Sequence, residues 1–110
     1  MNGWSSRKRS NVADGELLDQ FDQLVLRAVL GDRGAIAALS IGYGPVLLQQ
    51  ARKLLGKAWA SEAGPVLADL FAGMLEGTLE FVPGRDRGRA WLRAKLRGFA
   101  AKRRLAALPN

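Results

Sequence analysis

Residues 89–107 read RAWLRAKLRGFAAKRRLAA, and their spacing decides the fold class. Trp91, Leu92, Leu96, Phe99 and Ala100 recur at helical intervals, while Arg89, Arg93, Arg97 and Arg104 follow one another at steps of four, four and seven. A helix turns the two sets to different sides, apolar and cationic. No segment of the chain alternates with period two long enough to make a strand, so residues 13–108 are expected to form one all-α domain, about five helices around a single core.

Working back from that helix, the segment Phe81–Gly88 (FVPGRDRG) is charged and rich in turn formers, as a loop requires. Before it, Val66, Leu67, Leu70, Phe71, Met74, Leu75 and Leu79 give a fourth helix one broad apolar face, with Ser61 or Gly64 at its start. A third helix begins at Pro45, which suits a first turn, and runs through Leu47, Leu48, Ala51, Leu54 and Leu55 to Gly56. The second is short, capped by Asp32, carries Ile36, Leu39 and Ile41, and is broken by Gly42-Tyr43-Gly44-Pro45. The first has Asp14 as its cap and Gly31 as its stop, with Leu17, Leu18, Phe21, Leu24, Val25, Ala28 and Val29 at helical spacing. Residues 1–12 lack this periodicity and read as a disordered basic arm.

The composition narrows the chemistry. With 110 residues there is room for one core, and 48% hydrophobic against 25% charged residues is ordinary globular usage. The absence of Cys and His removes disulfides, thiolate sites and the commonest metal ligand and general base. The acids Asp14, Glu16, Asp19 and Asp22 fit the first turns of a helix, where they complement its dipole, better than a catalytic cluster. The glycines Gly31, Gly34, Gly84 and Gly88 follow no strand, and so they match turns rather than a phosphate loop. We therefore expect no enzyme and no cofactor. The longest uncharged run, Gly34 to Ala51, contains Gly42, Gly44, Pro45, Gln49 and Gln50, which argues against a membrane span. The N-terminus shows no export signal, so a cytoplasmic location is expected.

The formal charge is +7, and residues 85–104 carry more than all of it: Arg85, Arg87, Arg89, Arg93, Lys95, Arg97, Lys102, Arg103 and Arg104 against the single acid Asp86. A basic segment on a slightly acidic body is the electrostatic footprint of a nucleic-acid contact, although a solvated basic helix would show the same charge. Trp91 and Phe81 each have two readings, core packing or a platform on which an unpaired base stacks. Glu62, Asp69, Glu76 and Glu80 lie outside the apolar stripe of the fourth helix, as a solvated face or as a dock for a basic partner.

The ordered series Gly31-Asp32-Arg33-Gly34-Ala35, Leu39, Tyr43-Gly44-Pro45-Val46-Leu47-Leu48, Ala51-Arg52-Lys53-Leu54-Leu55-Gly56, Phe71, Phe81-Val82-Pro83-Gly84-Arg85, Arg89-Ala90-Trp91-Leu92 and Lys102-Arg103-Arg104 resembles region 2 of bacterial RNA polymerase sigma factors, especially the extracytoplasmic-function group. The likeness covers roughly residues 17–105. It implies a helical domain that binds the clamp helices of the largest polymerase subunit and captures the melted promoter −10 element. By this resemblance Glu62, Asp69 and Glu76 would bind polymerase. Arg85, Arg87, Arg89, Trp91, Arg93, Arg97, Lys102, Arg103 and Arg104 would contact DNA, with the loop Phe81–Gly88 capturing a flipped base. Gly64, Pro65, Ala68 and Asp69 depart from the acidic and Gln-Glu pattern usual in the docking helix, and Gly98 and Lys102 replace an Asn and an Asp. With the chain ending at Asn110, the −35-binding region of the family is not expected, so a second transcription factor would supply upstream recognition. The alternatives are a sigma mimic that occupies an anti-sigma factor or the polymerase without opening DNA, and a general nucleic-acid-binding helical protein.

Overall fold

A computed structural model of the chain describes residues 19–107. These form four α-helices: α1 (Gln20–Val29), α2 (Arg33–Leu55), α3 (Ala63–Glu76) and α4 (Gly88–Ala107), with a 3-10 helix, η1 (Lys57–Glu62), between α2 and α3. The fold is all-α, and no strand occurs among the described residues. The arm expected over residues 1–12, and the helix start expected at Asp14, lie outside the described residues.

Helix α1 is capped by Asp19, whose Oδ1 accepts from the Asp22 N–H at 2.7 Å. Gly31, at φ 87°, makes the tight turn to α2. Asp32 then performs two tasks. Its Oδ1 accepts from the Ala35 N–H at 3.1 Å to cap α2, while its Oδ2 receives Nε and Nη2 of Arg27 from the end of α1 at 3.0 and 2.9 Å. Backbone donation from Ala35, then Arg27, holds the Asp32 carboxyl below the usual carboxylate range.

The expected break at Gly42–Pro45 does not occur, and the two helices predicted there are one, of 23 residues and about 34 Å. Pro45 removes a single backbone donor, at a cost of about 3 kcal/mol or more in a helix interior. The lost bond would have ended on the carbonyl of Ile41, whose residue is 80% exposed, so water can serve that oxygen. Meanwhile Ala35, Leu39, Leu47, Ala51 and Leu55 bury one stripe that runs through the proline unbroken. Continuous packing outweighs the local break signal.

Helix α3 starts at Ala63, not at Ser61 or Gly64, because η1 runs directly into it and no side chain caps it. It ends at Gly77, in the left-handed conformation at φ 74°, so Leu79 belongs to the following loop and not to the helix. Val25, Leu39, Leu47, Val66, Leu70, Met74, Leu92 and Leu96 are fully buried where the four helices meet. Helix α2 touches every other helix, and α4 closes the core against α2 and α3.

Candidate nucleic-acid interface

The basic helix is held in place from both ends of its preceding loop. Within the loop, Asp86 Oδ2 accepts from the Val82 N–H at 2.7 Å, and the Asp86 N–H donates back to the Val82 carbonyl at 2.8 Å. Gly84, at φ 87°, turns the chain between them. Arg85 forks onto the same carboxylate at 3.1 Å through Nε and Nη2. The Arg85 fork and the Val82 N–H hold the Asp86 carboxyl below its ordinary value. Phe81 and Trp91 meet edge to face at 5.6 Å, and the Trp91 indole N–H donates to the Glu80 carbonyl at 2.8 Å.

The start of α4 is capped from a distant element. The cap comes from α1: Asp22, whose side chain is 4% exposed, accepts from the Gly88 N–H at 2.6 Å and from Arg87 Nη1 at 3.4 Å. Beside it, the Arg89 guanidinium lies 4.4 Å from the centroid of the Phe21 ring and 4.0 Å from an Asp19 oxygen. Gly88 is required by close approach. A Cβ there would stand 2.8 Å from Phe21 Cδ2 and 3.0 Å from Asp22 Oδ1.

The nine residues expected at DNA therefore divide. Arg93, Arg97 and Arg104 are exposed and have no ion-pair partner among the described residues. Together with Arg89 they form one cationic row along α4, about 22 Å from first to last. Arg85 and Arg87 are paired at one edge yet remain 65% and 60% exposed. Lys102 lies on the opposite flank of the helix, 6.0 Å from the Phe99 ring. Trp91 is 6% exposed with its ring edge to face on Phe81, so the ring is core and offers no platform for a base.

Arg103 faces α3. Its Nε and Nη2 bind the two Asp69 oxygens at 3.0 and 3.2 Å, and its Nη1 approaches Glu62 Oε1 at 3.4 Å. Two of the three acids expected at polymerase are thus joined to one of the cations expected at DNA. Glu76, the third, is exposed and shares with Asp69, Lys102 and Arg103 a groove of about 500 Å3 between α3 and α4.

Two important residues escaped the sequence reading. Asp22 stands among the acids at the start of the first helix, but it lies three and seven residues before Val25 and Val29, on the apolar face. That placement is the signal that a carboxylate is buried with a partner. Trp59, half-buried on η1, borders α4 near Arg104. Among the described residues no cluster of acids is placed to hold a metal ion, and no helix is long and apolar enough to cross a membrane.

Compared with known proteins, the chain matches no family model, no curated protein and no solved structure.

Proposed function

We propose that the protein is a sigma-like transcription regulator, acting in the cytoplasm by binding rather than by catalysis, which associates with RNA polymerase and contacts −10-like promoter DNA through α4 and the 77–87 loop. One observation carries the nucleic-acid part. Among the described residues, Arg93, Arg97 and Arg104 stand exposed in a row without an ion-pair partner, on a helix whose start is fixed by a buried carboxylate. Unpaired cations at regular spacing on a rigid element suit a phosphate backbone, which they bind by displacing its counterions. The adjoining loop is stapled by Asp86, and its exposed Arg85 and Arg87 would surround an extruded base. Glu62, Asp69 and Glu76 would meet the clamp helices of the largest polymerase subunit, and a second transcription factor would supply upstream recognition.

A general nucleic-acid-binding role is favoured by one contrary observation, the engagement of Asp69 and Glu62 by Arg103, which leaves Glu76 as the α3 acid open to a basic partner.

Fluorescence anisotropy with single-stranded and duplex DNA over a salt series tests the first part. Replacing Arg93, Arg97 and Arg104 together by Ala should reduce the log-log salt slope by about 2 to 3. An unchanged slope removes α4 as the contact. A pull-down from bacterial extract tests the second: recovery of the largest polymerase subunit supports the sigma-like role, and DNA binding without it supports the general one.

A further inference from the structure

The row Arg89, Arg93, Arg97 continues at the same four-residue interval into Ala101 and Leu105, and there its chemistry changes. Ala101 and Leu105, with Arg104 and Trp59, line a cleft of about 340 Å3 at the end of α4 remote from the 77–87 loop. Leu105 is 70% exposed and Ala101 is exposed, while Trp59 is half-buried and packs on the core from η1. The cleft thus has an aromatic wall, an apolar floor with a methyl group where a longer side chain would obstruct it, and one cation at its rim. No acid lines it.

We infer that this cleft is a stacking site for an unpaired base of single-stranded nucleic acid, a second base site distinct from the loop. The inference rests on the nucleic-acid reading of α4. Charge selects the occupant, because three arginines in line lead a polyanion to the cleft and Arg104 stands where the next phosphate would arrive. The lining selects the part of the polyanion that enters, since every base has an apolar π-face and an indole stacks on it without regard to sequence. A duplex keeps its bases in the stack and presents only phosphates, so it can use the arginines and not the cleft. From Arg89 to Leu105 the row spans about 24 Å, the length of roughly seven stacked nucleotides at about 3.4 Å each.

The test is anisotropy with a short fluorescent oligothymidylate and a duplex of equal length over a sodium chloride series, using the full chain. Stacking releases no counterions, so the site predicts a change in affinity at every salt concentration with the log-log slope preserved. Trp59→Leu should weaken single-strand binding about 5- to 150-fold, Trp59→Phe should keep most of it, and duplex binding should not change. Because Trp59 packs on the core, Ala101→Leu provides a variant that leaves the core alone: it fills the cleft from an exposed helical position without altering charge. It should reproduce the single-strand loss with an unchanged thermal midpoint. Wild-type single-strand affinity in Ala101→Leu, or equal losses on both substrates, overturns the site alone. Failure of the wild-type protein to bind either DNA overturns the nucleic-acid reading, and the site with it.

Discussion

The carboxylate of Asp22 in α1 caps the helix that begins at Gly88, with 66 residues of chain between them and 2.6 Å between the bonded atoms. The start of the helix bearing the cationic row is therefore capped by tertiary structure, in addition to the loop that precedes it. Asp22→Ala leaves the buried Gly88 N–H without an acceptor, and should cost about 2 kcal/mol, or about 10 °C in thermal midpoint for a domain of this size. Asp22→Asn retains an acceptor and should recover part of that loss. Melting curves followed by circular dichroism decide it, and equal midpoints for wild type and Asp22→Ala would show that the cap contributes nothing.

Replacing Arg85 and Arg87 together by Ala should weaken single-strand binding more than duplex binding. Both side chains sit at the loop that would surround an extruded base, whereas Arg93, Arg97 and Arg104 still reach duplex phosphates. Equal losses on the two substrates would mean that the loop adds charge alone.

If polymerase docks on α3, Arg103 competes with it for Asp69 and Glu62. Arg103→Ala should then raise the yield of the largest polymerase subunit in a pull-down, and Glu76→Arg should lower it. Opposite changes would place the docking surface elsewhere.

Acid should loosen the loop and the α1–α2 turn. Asp86 is held below its ordinary value by Arg85 and the Val82 N–H, and Asp32 by the Ala35 N–H and Arg27. For a depressed carboxylate the stabilisation is complete above the unfolded value of about 3.9 and is lost as pH falls through the lower folded value. The thermal midpoint should stay level from about pH 7 to 5 and drop below about pH 4. The Asp86→Asn, Asp32→Asn double variant should show a shallower acid limb, and an identical limb would refute the assignment.

The apolar rows of α1, α3 and α4 were legible in the sequence because each repeats at helical spacing within one segment, and so was the cationic row. Pro45 misled because its local preference is visible in the sequence, whereas the stripe from Ala35 to Leu55 that overrides it becomes meaningful only when α1, α3 and α4 are packed around it. The same limit applies to the site. Arg93 and Arg103 are alike as letters, yet one points to open surface and the other into a fork with Asp69, and that difference depends on which helix lies alongside. Asp22 and Gly88 matter only through each other.

Pro45 within α2 also bears on how fast the chain reaches its native state. The Gly44–Pro45 bond is trans, as an α-helix passing through it demands, but in unfolded chains about 10–30% of such bonds are cis. A molecule caught in that form can build only half of the helix that every other helix rests upon, and it must wait for isomerisation on the scale of about 10–100 s. Refolding from denaturant should therefore show a minor slow phase that a prolyl isomerase accelerates and that Pro45→Ala diminishes. The stripe that carries α2 through its proline makes the assembly of the central helix wait on the Gly44–Pro45 bond.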